Sequence, residues 1–227
     1  DEIGLDFTAV RVRGTHSEIL AVEPSYIRAG GSAEITIHGT GLSGDVDLGA
    51  GVTVTGVVST DANTVVVSAS ADGGAALGSR SISVGWSALV GGFVVYDAVA
   101  TVQVEPAYGM ARVGGANGTR LDQLALFDAV GYMADGTRIG AMPAAWSTEP
   151  FDEVAEQLDD VHFAGMMAPN AGIYDPADAG LNPARPFSTN NAGNLKTVAV
   201  VDDAGNAVRG EGQLIVTVQR WNDPPIR

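Results

Sequence analysis

The sequence predicts an all-β chain folded as two tandem β-sandwich domains, on three observations. Apolar-alternating runs recur at roughly 8–12-residue spacing with turn residues between them, the pattern of a sandwich or barrel. The 227 residues include 30 Gly and 10 Pro, and only 17% are charged, against about 25% in average domains. The difference is made up by Ala, Gly, Val, Ser and Thr, a vocabulary of sheets and turns. Third, Val22-Glu23-Pro24-Ser25-Tyr26 is echoed 82 residues later by Val104-Glu105-Pro106-Ala107-Tyr108. Each copy is followed by a Gly-Gly, at Gly30-Gly31 and Gly114-Gly115. That period is too long for a solenoid. It fits two domains of one fold, each large enough to bury its own core.

Residues 1–18 are read as an N-terminal strand or the remnant of a preceding domain. Phe7 to Arg13 alternates, with Phe7, Ala9, Arg11 and Arg13 on one face and Val10 and Val12 on the other. The first sandwich is placed at 19–102. Ile19 to Val22 is its opening strand, ending at Glu23-Pro24. Ser32 to His38 follows, with Ala33, Ile35 and Ile37 on the apolar face, and Gly39-Thr40-Gly41 breaks it. Val46 to Leu48, Val52 to Val58, Thr64 to Ala69, Arg80 to Val84 and Phe93 to Tyr96 are the next strands. The prolines of the echo suit strand entries or edges, because Pro lacks the donor that a central ladder needs.

The second sandwich is placed at 103–227. Gln123 to Met133 reads mostly as strand, with a helical reading of Leu121 to Phe127 left open. Ala134-Asp135-Gly136-Thr137 is a hairpin turn. Ala144 to Ser147 is a strand carrying Trp146 as core anchor. Lys196 to Val201 and Gln213 to Val218 are strands, with a turn at Asp202 to Asn206. A long loop is expected at 148–194, its second part the Pro/Asn/Gly-rich Ala168 to Asn194. Both domains are expected to be immunoglobulin-like sandwiches.

The formal net charge is −15. Residues 1–102 hold 4 basic and 11 acidic residues, and 103–227 hold 8 and 16, so the acidity is spread over the whole chain. Nucleic acid is excluded as a partner, since phosphate binding needs Lys and Arg clusters. An anionic membrane surface is disfavoured likewise, and no apolar run reaches the roughly 18 residues that span a bilayer. The sequence has no cysteine. That rules out a disulfide framework, a thiolate metal site and the C-x-x-C-H attachment of a c-type haem.

Few residues invite chemistry. Glu149 and the run Asp152, Glu153, Glu156, Asp159 and Asp160 could offer hard oxygen ligands to Ca²⁺. The ordered D-x-[DN]-x-[DN]-G loop is absent, and the run reads equally as a solvated helix or loop. Asp202, Asp203 and Asn206 raise the same question inside a turn. His16, His38 and His162 show no zinc spacing. There is no G-x-S-x-G elbow and no P-loop. Gly109 to Gly118 is read as supplying turns and positive-φ positions. Trp86 and Trp221 lie near strand ends and are the candidates for partner contact, since Trp is enriched at interface hot spots.

The first domain resembles IPT/TIG-type immunoglobulin-like modules. The match runs through Val22-Glu23-Pro24, Gly30-Gly31, Ile35 to Leu42 and Leu48 to Val52. In the second domain Pro106 to Gly115, Phe127 to Tyr132, Ala144 to Ser147, Asn182 to Arg185 and Asn190 to Asn194 occur in order. Together, over roughly residues 19 to 220, they resemble the last two domains of the quinohemoprotein amine dehydrogenase large (alpha) subunit. The resemblance implies a subunit in which a dihaem domain precedes β-domains. It also implies a quinone on a separate thioether-crosslinked small subunit, a β-propeller subunit, a periplasmic location and oxidation of primary amines.

The corresponding β-domains are scaffold, so no catalytic, cofactor-binding or metal residue is carried over. Haem c and the quinone are expected on partner chains. The expected partners are haem- or quinone-bearing subunits, with no nucleic acid and no membrane insertion, in the periplasm or outside the cell. The acidity would steer a basic electron-transfer partner. The alternative is a binding or adhesion module of a secreted or cell-surface protein. A third reading is a hydrolase built on Glu149 to Asp160.

Overall fold

The computed structural model describes residues 17–113, 123–150, 166–176 and 193–218. The chain divides into two compact units, Asp1–Val95 and Tyr96–Arg227. The described residues hold strands and turns and no helix. The predicted strand Phe7 to Arg13 lies outside them, as do His16, His162, Trp221 and the acidic run Asp152 to Asp160.

The first unit is built from β1 (Glu18–Glu23), β2 (Tyr26–Arg28), β3 (Ser32–Thr40), β4 (Val46–Asp47), β5 (Val52–Thr60), β6 (Thr64–Ala71), β7 (Gly78–Val84) and β8 (Ser87–Tyr96). They form two sheets, ordered β1-β3-β6-β5 and β2-β8-β7-β4. Period-2 alternation makes this a sandwich, since each strand turns its apolar residues to one face. Ile35 and Ile37 of β3, Val67 of β6, Val84 of β7 and Phe93 of β8 have no exposed surface and join one core drawn from both sheets. The predicted apolar face of β3 is therefore the inner one.

Gly39 does not break β3, which continues to Thr40. The glycine is there for space. A Cβ at Gly39 would lie 2.1 Å from the Glu18 carbonyl oxygen on the neighbouring strand. β2, three residues long, is too short to leave an alternation in the sequence.

The second unit comprises β9 (Thr101–Glu105), β10 (Tyr108–Val113), β11 (Ala125–Leu126), β12 (Asp128–Tyr132), β13 (Arg138–Ala141), β14 (Ala145–Pro150), β15 (Met166–Met167), β16 (Ile173–Asp175), β17 (Gly193–Asp203) and β18 (Asn206–Val218). Its sheets are ordered β10-β18-β17-β14, β13-β12-β9 and β11-β16-β15. β10 pairs with β18 in parallel and the other named pairs are antiparallel. The described part of Leu121 to Phe127 is strand and bridge, which removes the helical reading there.

The echo Val-Glu-Pro-x-Tyr has the same structural meaning in both units. Glu23–Pro24 and Glu105–Pro106 are both cis. Before Pro24, β1 pairs with β3; after it, β2 lies beside β8 in the facing sheet. Before Pro106, β9 pairs with β12; after it, β10 lies beside β18. Pro suits this step because it has no N–H to leave unpaired while the chain changes sheets.

Two expectations for the second unit are corrected. The segment 148–194 is not one loop. β14 runs through Pro150, β15 and β16 occupy 166–167 and 173–175, and β17 begins at Gly193. Strands of two and three residues carry no readable period. Gly109 supplies no turn: it lies inside β10 because a Cβ would lie 2.2 Å from the Phe127 ring.

The β17–β18 hairpin pairs continuously from Gly193↔Val216 to Asp203↔Asn206. The sequence shows Lys196 to Val201, the turn and Gln213 to Val218 but not the first half of β18, because Gly210 and Gly212 interrupt the apolar pattern. Both glycines serve packing, since Cβ atoms there would meet Val102 and Val104 of β9 at 2.6–2.8 Å. The turn between the strands has Ala204 at φ 55° and Gly205 at φ 85°, the two positive values of a type I′ hairpin. An L-residue with a Cβ pays about 1–2 kcal/mol there, whereas Asn is favoured at this position. Ala204→Asn is therefore expected to stabilise the second unit by about 0.5–1 kcal/mol, read as a raised urea midpoint at constant m-value. A lowered midpoint would refute the turn assignment.

Candidate functional site

Trp86 sits in the two-residue turn Gly85-Trp86 between β7 and β8, where Val84 pairs with Ser87. Gly85 has φ 55°, and a Cβ on it would lie 2.1 Å from the Ser43 carbonyl oxygen. The turn is also tied from both sides. The Gly85 N–H donates to the Asp45 carbonyl at 2.8 Å, and the Ser17 and Ser87 hydroxyls share a hydrogen bond. The result is a rigidly backed indole with no protein cover, at 103% relative exposure. Val90, four residues on, is 85% exposed. Exposed single apolar residues are ordinary; a fully bare Trp on an anchored turn is not.

Trp146 is the opposite case. It lies on β14, is 7% exposed, and packs on Phe127 with ring centroids 6.3 Å apart and planes tilted by 34°. The turn before β16 wraps it. The Trp146 N–H donates to the Pro169 carbonyl at 2.8 Å, and the Phe127 N–H donates to the Gly172 carbonyl at 2.9 Å. It is the core anchor that its strand position predicts.

Glu149, also on β14, belongs to an ion network across the outer face of the β14–β17–β18 sheet. The Arg209 guanidinium donates to both Glu149 carboxylate oxygens, at 2.9 and 2.7 Å, and through Nε to Glu211 Oε1 at 3.0 Å. Lys196 Nζ lies 3.7 Å from Glu211. Register puts Val198 between Ser147 and Glu211, so the Arg209–Glu149 link passes over it. That accounts for Val198 being only 1% exposed on the outer face. Long charged side chains cover apolar surface in this way. The sequence signal for this network was Arg209 and Glu211 at period 2, hidden by the unread first half of β18.

The hydrogen bonds from Arg209 hold the Glu149 carboxyl below the usual carboxylate range, and those same bonds push the guanidinium upward. A depressed folded-state pKa stabilises the fold above the unfolded value, near about 4.3 for Glu. That contribution is lost as pH falls through the folded value. Arg209→Ala is expected to move the Glu149 carboxyl back upward in a ¹³C-NMR titration. An unmoved titration would show that the pair does not persist in solution. Both side chains stay about half-exposed to solvent, so the weight of the pair in stability is small.

A second network covers the β9–β12–β13 sheet. The Tyr132 hydroxyl donates to Glu105 Oε1 at 3.0 Å, and Arg138 lies 3.3 Å from Glu105 Oε2. Burial first, and then the Glu105 carboxylate, raise the Tyr132 phenol above its ordinary range.

Asp202 and Asp203 are turn and core groups. Asp202 Oδ1 accepts the Gly205 N–H at 2.7 Å, and the buried Asp203 Oδ2 accepts the Val99 N–H at 2.9 Å. His38 is half-buried on β3 in register with Ala21 and Thr64. Among the described residues no group of three or more His, Cys, Asp or Glu could hold a metal. No helix among them is long and apolar enough to cross a membrane.

A family model of domain III of the quinohemoprotein amine dehydrogenase alpha subunit matches residues 16–97, and one of domain IV matches residues 102–226. Among curated proteins none matches the sequence. Domains 5–6 of the S-layer protein SbsC align at 14% identity over 90% of this chain and 100% of that one, with a TM-score of 0.30. Cadherin-like domains 1 to 4 of zebrafish RET align at 10% identity over 90% of this chain and 52% of theirs, with a TM-score of 0.35. The Escherichia coli adhesin FdeC aligns at 15% identity over 89% and 64%, with a TM-score of 0.28. Likenesses this distant decide nothing about function. The two domain models cover nearly the whole chain in the order expected, and the chain belongs to the quinohemoprotein amine dehydrogenase alpha subunit family, as its domains III and IV.

Proposed function

We propose that this chain is a non-catalytic β-sandwich scaffold of a periplasmic amine dehydrogenase-like redox complex, holding haem- and quinone-bearing subunits in place. The observation that carries the proposal is the consecutive match to alpha subunit domains III and IV over residues 16–97 and 102–226. The name of that family denotes one subunit among several, so protein partners follow from membership. The residues present do not fit either of the family's prosthetic groups. Covalent haem c needs C-x-x-C-H, the quinone crosslink needs cysteine sulfur, and the sequence contains no cysteine. No reaction step is assigned to this chain.

The test is native mass spectrometry of the complex isolated through this chain from its source, with an absorbance spectrum of the same sample. Co-purifying chains with a haem Soret band support the scaffold. A lone colourless species carrying this chain overturns it in favour of a surface-binding module.

A further inference from the structure

We propose that the Trp86 end of the first unit is a docking point for a partner protein chain whose face presents an apolar pocket rimmed by Lys or Arg. The inference rests on the reading that this chain assembles with other subunits.

Three observations specify that partner. Trp86 and Val90 are 103% and 85% exposed on one short stretch of the β7–β8 hairpin, and Leu20 of β1, three residues beyond the Ser17 that touches Ser87, is 60% exposed. A rigid, wholly exposed indole on a hairpin that also bares Val90 calls for an apolar pocket. The turn's backing removes most of the ordering cost that a mobile tip would pay on binding.

Among the described residues the charge around this end has one sign. Asp45 is hydrogen-bonded through its backbone to Gly85, and Glu18 follows Ser17, whose hydroxyl meets Ser87. Both acidic residues are exposed. Residues 17–95 contain seven carboxylates and only two Lys or Arg, Arg28 and Arg80. Neither cation serves this end. Arg80 is spent on the Ala50 and Ala76 carbonyls. Arg28 adjoins the Gly30-Gly31 turn, where Gly30 bonds Ala71.

The same charge argues against a second copy as occupant, because this chain carries −15 and like-charged faces repel on approach.

The test places a photo-crosslinking benzoylphenylalanine at position 86 of the full chain in the assembled complex, and compares Trp86→Ala, Trp86→Phe and Asp45→Asn by partner affinity. Trp86 is wholly exposed, so Trp86→Ala is expected to keep the wild-type circular dichroism spectrum. Expected are cross-links to peptides of one partner chain rich in Lys or Arg, and about a 30-fold affinity loss for Trp86→Ala, the size of an interface hot spot. Trp86→Phe is expected to lose less, and Asp45→Asn to slow association and flatten its salt dependence. Cross-links only to a second copy, or unchanged affinity of Trp86→Ala in a complex that assembles, overturn this proposal alone. A failure of any subunit to co-purify overturns the scaffold reading and this proposal with it.

Discussion

Gly172→Ala is expected to destabilise the second unit by about 2–5 kcal/mol, from two costs that add at one position. Gly172 has φ 62°, in the left-handed region, where a Cβ costs about 1–2 kcal/mol. That Cβ would also lie 2.2 Å from the Phe127 carbonyl oxygen and 2.9 Å from two atoms of the Trp146 indole. A backbone oxygen cannot rotate away. The Gly172 carbonyl is itself held by the Phe127 N–H, so moving the loop breaks a hydrogen bond on the far side. Overpacking of this kind costs about 1–3 kcal/mol.

Gly136→Ala separates the two costs. Gly136 has φ 86° and nothing within 4 Å of its missing Cβ, so it pays the conformational cost alone. Urea unfolding of both variants decides the matter. Equal losses at the two positions would mean that the loop around Trp146 yields freely, and that 166–176 is a loose cover rather than a wall of the core.

The legible parts of this chain are those where one side chain suffices to report its surroundings. Ile35 and Ile37 announce an inner face by alternation alone, and Trp146 announces a core by its size. The Asp135-Gly136 turn is equally plain: Thr137 N–H donates to Asp135 Oδ1 at 2.9 Å, the local bond that makes Asp a turn former. Gly39 reads as a strand break and Gly109 as part of a turn, while Gly210 and Gly212 interrupt the pattern of β18. Each lies within a strand because another element passes too close for a Cβ, and such proximity leaves no mark on the residues next to it in sequence.

The echoed Val-Glu-Pro-x-Tyr was visible as a repeat, yet its role as a sheet crossing needed the pairing partners, which lie far along the chain. β15 and β16 stayed hidden for another reason: at two and three residues they are held by Met167↔Tyr174 and Leu126↔Ile173 pairing, not by any pattern of their own. Of the candidate contact residues, Trp86 could be placed near a strand end from sequence. Its complete exposure, and the hydrogen bonds that brace its turn, could not.

Trp146→Ala is expected to cost about 3–5 kcal/mol, the usual range for removing a large aromatic from a core. The indole joins elements from all three sheets' neighbourhoods. β14 carries it, in register with Ala199 of β17; Phe127 lies against it between β11 and β12; and the turn ending at Gly172 closes over it. No single neighbour can collapse into the space, because Gly172 offers no side chain and Phe127 is pinned against Gly109 of β10. The void therefore persists, and the cost sits toward the upper end of that range. Trp146→Phe keeps an aromatic contact with Phe127 and is expected to lose roughly half as much.

Hydrogen exchange supplies the local readout. In Trp146→Ala the amides of Phe127 and Ala168, now donating to the Gly172 and Ile173 carbonyls, should lose protection before those of β17 and β18, since their segment owes its position to the indole. Uniform loss across the unit would instead make it a single cooperative block, with β15 and β16 as integral as the long hairpin. Gly172→Ala and Trp146→Ala share one contact, so their costs should not add. The double variant is expected to lose less than the sum, because once the indole is gone the alanine has only the Phe127 carbonyl left to clash with.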